Sequence, residues 1–344
     1  MTRKIIVLIA GLFSGFIFHM IGVPAGWLIG ALLFGAVYGM MRQDVAYRGP
    51  LFKGALALIG ANIGVLTERD VFLQVGSYIG PLLLTLILTF AGSFLLGWLL
   101  YKNADGMDAK TALFCTIPGG ASEVIVTSRE AGADERIVAA FHSFRIFFFV
   151  FTIPLIVGIG TPAASIAGNG DAGMTASLAA VILIAMAVAA LLNRFFPLPA
   201  GILLYAIVIA FLLSEFLIPV ESLPDYIGGV GQALIGVMIG VTFNPQVMKR
   251  LYGFGRICIY IIVLFLALGV LLAWLFHTVS GLNMMTSLLS IVPAGAPEMS
   301  ATAFALNLDP TLVASLQIIR VLTILLMLPF LLKLIERMEN RIEN

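Results

Sequence analysis

Ile117-Pro118-Gly119-Gly120-Ala121-Ser122-Glu123 and Val292-Pro293-Ala294-Gly295-Ala296-Pro297-Glu298 are one motif written twice, 175 residues apart (118 to 293). In each copy a proline and at least one glycine interrupt a long apolar stretch, and a glutamate follows within five residues of the proline. Proline removes a backbone donor and obstructs helix continuation, while glycine permits turns and close approach. Each motif therefore reads as a break between two short helices.

The same offset relates Pro24-Ala25-Gly26 to Pro199-Ala200-Gly201, Asp134 to Asp309, Arg145 to Arg320 and Pro154 to Pro329. With one more residue of offset, Leu58-Ile59-Gly60 meets Leu234-Ile235-Gly236, Gly64 meets Gly240, and Trp98 meets Trp274. Matches among Leu and Val mean little in so apolar a chain. Ordered matches of Pro, Gly, Glu, Asp, Arg and Trp point to an internal duplication. The expected organisation is a first membrane repeat over 1–160 and a linker over 161–175, rich in Gly, Ala and Ser. A second repeat then occupies 176–344 and closes on a short charged end.

Composition sets the solvent. Hydrophobic residues make up 61% of 344 positions, charged residues 11%, and mean hydropathy is +1.10. Soluble domains carry about 25% charged residues. A chain this apolar cannot cover itself with polar groups, so lipid is its expected surroundings. With a net charge of +1 and no basic domain, nucleic-acid binding is not expected. The two cysteines, Cys115 and Cys258, lie in apolar stretches and read as buried free thiols. Met1-Thr2-Arg3-Lys4 and the following apolar run resemble a signal peptide, but they lead directly into further apolar sequence and are read as a first span.

Each half holds six apolar segments, near 5–21, 24–41, 51–66, 77–101, 111–130 and 136–160, then 177–193, 198–218, 228–243, 256–277, 285–304 and 311–335. The fifth of each half contains the motif. Its flanks are only about 10–18 Å of helix, roughly half of a 30 Å hydrocarbon core. It is either a broken crossing helix or a hairpin that enters and returns. Loop charge favours the hairpin, because Lys and Arg concentrate on the cytoplasmic side. With both fifth segments re-entrant, Arg42, Arg48, Lys53, Lys102, Lys110, Arg194, Lys249, Arg250 and Arg256 all fall inside. The linker with Asp171 and the acidic stretch Glu215–Asp225 fall outside, and Arg69 is the one clear exception. The expected fold is an all-α polytopic membrane protein. It has two inverted repeats, each of five transmembrane helices plus one re-entrant or broken helix, in a bacterial inner membrane with both termini cytoplasmic. Inverted repeats with discontinuous helices recur in secondary transporters.

Irregular backbone inside a membrane persists only where protein or water satisfies it, so the breaks are candidate binding points for ions or polar solutes. The candidate residues are Pro118, Gly119, Gly120, Ser122, Glu123 and Arg145 in the first half, and Pro293, Gly295, Glu298 and Arg320 in the second. Asn62 joins them as a polar residue inside an apolar helix. A carboxylate in lipid is costly and marks a functional hypothesis. Glu123 or Glu298 either carries a coupling proton or cation, or caps freed N–H groups. Arg145 and Arg320 sit about 15 Å into the sixth segments. Each either pairs with a tip carboxylate or grips a substrate carboxylate. His142, one turn before Arg145, is read first as a hydrogen-bonded side chain and second as a proton relay. Asn62 either lines a cavity or bonds across helices. Gly60-x-x-x-Gly64 and Gly236-x-x-x-Gly240 are expected to bring helices close together. The Pro-Ala-Gly pairs are expected to be turns placing proline at a helix start.

The stretch Gly22-Val23-Pro24-Ala25-Gly26-Trp27-Leu28-Ile29-Gly30, with Ile117–Glu123 and Val292–Met299, resembles the AbrB-type duplicated membrane family over nearly the whole chain. Members of that family carry labels such as ammonia monooxygenase and regulator of gene expression. The family also looks like a distant relative of cation/proton antiporters and bile-acid-type symporters, a likeness that does not fix function. The oxygenase label suits these residues poorly, since His19, His142 and His277 lack ligand spacing. The regulator label is compatible with an indirect effect on gene expression or with action through a partner. A soluble DNA-binding protein shares the AbrB name, but its small basic fold is not in this chain. With no G-x-x-x-x-G-K-[ST] motif, ATP is not the expected energy source. The expectation is an ion-coupled transporter or exporter of a small solute, with no enzyme activity and no cofactor. Its partners are the bilayer and its solute or ion, and self-association is left open.

Overall fold

The computed structural model describes residues 2–42, 45–47, 49–160, 175–218, 220, 224–243, 245, 254 and 256–342. Most of the 161–175 linker, and Lys249 and Arg250 with it, lie outside the described residues. Those described form helices and connecting turns, without strands. In chain order the helices are α1 (Thr2–Met20), α2 (Gly26–Met41), α3 (Pro50–Val65), α4 (Arg69–Asn103), α5 (Ala109–Thr116), α6 (Ala121–Glu130) and α7 (Glu135–Gly160). Then follow α8 (Ala176–Phe195), α9 (Gly201–Phe216), α10 (Asp225–Gly240), α11 (Ile257–Ser280), α12 (Met284–Ile291), α13 (Ala296–Ala305) and α14 (Pro310–Ile342). Among them, six helices are long and apolar enough to cross a membrane: α1, α4, α7, α8, α11 and α14. Large side chains such as Ile9, Phe13, Leu183 and Trp274 are exposed along these helices, as lipid contact requires. This is the architecture of a membrane protein.

Helix limits repeat along the chain. α2 and α9, α3 and α10, α5 and α12, and α6 and α13 each begin and end 175 residues apart (26 to 201 and 41 to 216 in the first pair). The two compact units do not follow the two halves; each draws segments from both.

The first unit holds Met1–Ser77, Val150–Asn244 and Ala296–Ile318. Within it α10 lies along α2, and α3 lies along α9. Glycine makes both contacts. A Cβ at Gly60 would stand 2.5 Å from the Leu203 carbonyl oxygen, and one at Gly236 would stand 2.5 Å from that of Leu28. Gly64 and Gly240 meet the Ile207 and Leu32 carbonyl oxygens in the same way. With no hydrophobic drive between helices in lipid, such close backbone packing supplies the association. Ala61, Val181, Ala185, Ala210 and Ile227 seal the space beside α3, α8 and α9.

The Pro-Ala-Gly turns depart from expectation. Ala25 and Ala200, not the prolines, precede α2 and α9, and both are left-handed at φ 50° and 52°. Glycine takes the first helical position. At Gly26 a Cβ would stand 2.5 Å from the His19 nitrogen, so the end of α1 leaves no room for proline there. A non-glycine residue in this conformation costs about 1–2 kcal/mol, and the chain bears that cost at both matched positions.

The second unit holds Tyr78–Phe149, Pro245–Gly295 and Ile319–Asn344. Here α12 packs on α11, where Gly269 faces Val292. The Thr116 hydroxyl donates to the Ser93 carbonyl at 2.8 Å and fastens α5 to α4. Leu86, Phe90 and Ile324 form an apolar core between α4 and α14. Cys115 and Cys258 are both buried and free, as read from sequence.

Candidate functional site

Both motifs are helix breaks. α5 ends at Thr116 and α6 starts at Ala121; α12 ends at Ile291 and α13 starts at Ala296. Matched polar residues open the two leading helices. The Asp108 side chain accepts from Thr111 N–H at 2.7 Å, and Asn283 accepts from Met285 N–H at 2.8 Å. Each cap satisfies one of the donors that a helix start leaves over.

A broken helix leaves carbonyls unpaired at the end of its first piece. Residue 118 would normally donate to the Phe114 carbonyl, four residues back, but Pro118 has no N–H. His142 fills the vacancy: its Nε2 donates to the Phe114 carbonyl at 3.0 Å. Its Nδ1 accepts from Arg145 Nη2 at 3.0 Å, which fixes the imidazole as the neutral Nε2–H tautomer. Arg145 Nη1 donates to the Ile117 carbonyl at 3.3 Å. In the second half Arg320 Nη1 donates to the Ile291 and Val292 carbonyls at 2.6 and 2.9 Å. A cation suits the negative end of a helix dipole, so two buried guanidinium groups stabilise the two helix ends. The sequence suggested pairing with a tip carboxylate. These guanidinium groups bind backbone instead, because the prolines strand carbonyls within their reach.

Arg145 is 1% exposed and Arg320 4% exposed, yet the Nε of each has no hydrogen-bond partner. Arg145 also lies over the ring of Phe265 at 5.2 Å, a cation–π contact. α14 joins the two breaks. Arg320 holds the second, and one turn later Ile324 lies 3.5 Å from where a Cβ of Gly119 would stand in the first. Both breaks therefore share one compact unit, down to Gly295.

The two glutamates differ. Glu123 is half-buried at the third position of α6 and turns back over Gly120, where any Cβ would collide with its carboxylate. Glu123 thus lies over the start of its own helix. Glu298 is 8% exposed in the first turn of α13, and its Oε2 is buried without a partner. Gly295, just before α13, has φ 103°, a conformation open to glycine alone. The Ser122 side chain lies outside the described residues.

Asn62 belongs to the first unit. Its Nδ2 donates to the Ile227 carbonyl at 3.2 Å, bridging α3 to α10, and its Oδ1 is buried without a partner. α13 packs against both of those helices, so Asn62 and Glu298 sit on neighbouring elements of one unit. Sequence reasoning missed Phe265, one apolar residue among many, and Gln232, buried on α10. It also missed the Thr67–Thr311 hydroxyl pair at 2.6 Å. The four-residue spacing to Pro118 marks the Phe114 carbonyl as lacking its helical donor, but it does not name His142 as the group that fills the place.

A family model described as transition state regulatory protein AbrB matches residues 27–336. The chain is 26% identical over 324 residues to an Escherichia coli (strain K12) protein named "Putative regulator AbrB", covering 92% of each. It is also 26% identical over 353 residues to a Bacillus subtilis (strain 168) protein named "Uncharacterized protein YhjN", covering 95% of this chain and 91% of that one. With helices, breaks and matched family in agreement, this chain belongs to the AbrB family of membrane-type helical proteins.

Proposed function

We propose that the protein is an ion-coupled secondary transporter or exporter of a small solute, working through its two broken helices. In this reading the chain crosses a bacterial inner membrane ten times, with both termini cytoplasmic. Six crossings are the long helices. Four are the sixteen-residue helices α2, α3, α9 and α10. At 1.5 Å per residue these span about 24 Å, short of a 30 Å core by an amount that local thinning accommodates. Both broken segments are re-entrant, leaving five crossings per half and placing the halves in opposite orientations. The 175-residue agreement of helix limits supports the duplication.

The observation that carries this reading is Glu298, a buried carboxyl with an unpartnered oxygen one turn past a broken helix. Ionised, it has a large desolvation cost; protonated or bound to a cation, it has little. Such a group can exchange an ion as the site opens to one side and then the other. The test is solute flux into proteoliposomes, using solutes found by thermal-shift screening. Wild-type protein should show flux driven by a pH or sodium gradient, and Glu298→Gln protein should not. Equal gradient-driven flux by both would contradict the coupling role.

A second reading, a membrane regulator acting indirectly or through a partner, is favoured by the name of the Escherichia coli relative. Capture of one specific protein partner without solute flux would support it.

A further inference from the structure

We propose that Thr67 and Thr311 are positioning residues for Glu298, their hydroxyl pair clasping the helix that carries it. This rests on the coupling role of Glu298 argued above and adds what holds that carboxyl in place. The two hydroxyl oxygens lie 2.6 Å apart, with Thr67 8% and Thr311 2% exposed. Thr67 follows α3, and Thr311 lies in the first turn of α14, 244 residues later. Thr67 gives its one hydroxyl proton to the Ile63 carbonyl at 2.8 Å. Thr311 is therefore the donor across the pair, and Thr67 accepts. These residues all belong to the first unit, as does α13 with Glu298.

A tight turn carries this hold to α13. Leu308 N–H donates to the Ala303 carbonyl at 2.9 Å and Asn307 N–H to that of Phe304 at 3.3 Å, with Asn307 left-handed at φ 52°. These are the two bonds of a Schellman helix ending. Two residues on, Asp309 accepts from Leu312 N–H at 2.9 Å and caps α14. α13 and the start of α14 thus form one elbow, and fixing Thr311 fixes α13 against α3. Phe304 occupies the space that a Cβ at Gly228 would need, which holds the same helix to α10. The first half repeats the elbow without the clasp. Ala133 N–H donates to the Ser128 carbonyl at 2.9 Å past left-handed Gly132, and Asp134 caps α7. Yet Arg136 stands at the position matching Thr311, and Phe243 matches Thr67 by the offset that relates Gly64 to Gly240. That elbow is tied to its own leading helix instead, where Asp134 N–H donates to the Thr111 hydroxyl at 2.9 Å. The clasp therefore stands at the break whose glutamate is buried with an unpartnered oxygen, not at the break of half-buried Glu123.

The test uses the full chain purified in detergent. A water-soluble carbodiimide with glycine ethyl ester amidates carboxyls that water reaches, and mass spectrometry reads Glu298 and Glu123 separately. Thr311→Val removes the donor of the clasp and leaves Thr67 bonded to Ile63. It should raise the amidation rate of Glu298 about threefold or more while that of Glu123 stays put. Thr67→Val strands the Thr311 proton and should raise the rate at least as far. Thr311→Ser keeps the hydroxyl and should react as wild type does. Glu298 amidated at the wild-type rate in Thr311→Val would overturn the proposal. So would a serine variant as reactive as the valine one, or Glu123 rising in step with Glu298. If neither valine variant stays monodisperse, amide hydrogen exchange of the wild-type protein decides. Exchange slower in α13 than in α6 supports the clasp, and equal exchange overturns it. Equal gradient-driven flux by wild type and Glu298→Gln would remove the coupling role while the amidation rates still judge the clasp. Flux lost in Glu298→Gln, with amidation unchanged in both valine variants, would remove the clasp and leave the coupling role.

Discussion

Arg320 donates to the Val292 carbonyl at 2.9 Å, and 175 residues earlier Arg145 donates to the matching carbonyl of Ile117 at 3.3 Å. One device thus ends the leading helix at both breaks, with unequal strength. Arg320 holds two carbonyls alone, whereas Arg145 holds one and is itself held by His142. Arg320→Met should therefore destabilise the protein more than Arg145→Met. The expected loss is roughly 1–3 kcal/mol per orphaned carbonyl, towards the lower end inside a membrane. Thermal unfolding in detergent, with monodispersity as the control, reads the difference.

Gly64 and Gly240 each rest against a backbone oxygen of the opposite half, that of Ile207 and of Leu32. A backbone oxygen cannot swing aside as a flexible side chain can. Gly64→Val and Gly240→Val should each force α3 from α9, or α10 from α2. The expected outcome is a sharp fall in monodisperse yield. Gly54→Ala, where a Cβ would meet open space, should leave yield unchanged.

Glu298→Gln keeps the shape of a buried carboxyl and removes its ionised form. Thermal stability at neutral pH should be unchanged or higher, because a costly buried charge is no longer available. Ion-driven flux should be lost. Glu123→Gln should affect stability more than flux, since Glu123 turns back on the start of its own helix. Parallel stability and flux measurements on the two variants separate a coupling residue from a cap.

Reporter fusions test the orientation on which the inverted arrangement depends. A fusion at Asp171 should read periplasmic and one at Lys249 cytoplasmic. The reverse result, or one side for both, would remove the ten-crossing arrangement.

The breaks were legible in the sequence because Pro118 and Pro293 cannot continue a helix whatever surrounds them. Gly60 and Gly64 announced a close helix contact, yet not its partner. Nothing local says that α3 pairs with α9 of the other half, a choice made by the whole fold. The arginine positions were legible from depth alone, while their acceptors were not. A guanidinium in lipid suggests a carboxylate, whereas the fold brings stranded carbonyls nearer to hand. Left-handed Ala25 and Ala200 had no local signal, because alanine is an unfavourable residue for that conformation and only tertiary packing holds it there.

Gly119 of the first break meets Ile324 of α14, one turn beyond the arginine that holds the second break. Gly119→Cys and Ile324→Cys, introduced together with Cys115→Ser and Cys258→Ser, place thiols at that meeting point. A protease site inserted in the 161–175 linker allows the halves to be parted after oxidation in native membranes. The double-cysteine halves should stay joined until reduced. Halves that separate as freely as those of the single-cysteine controls would contradict it.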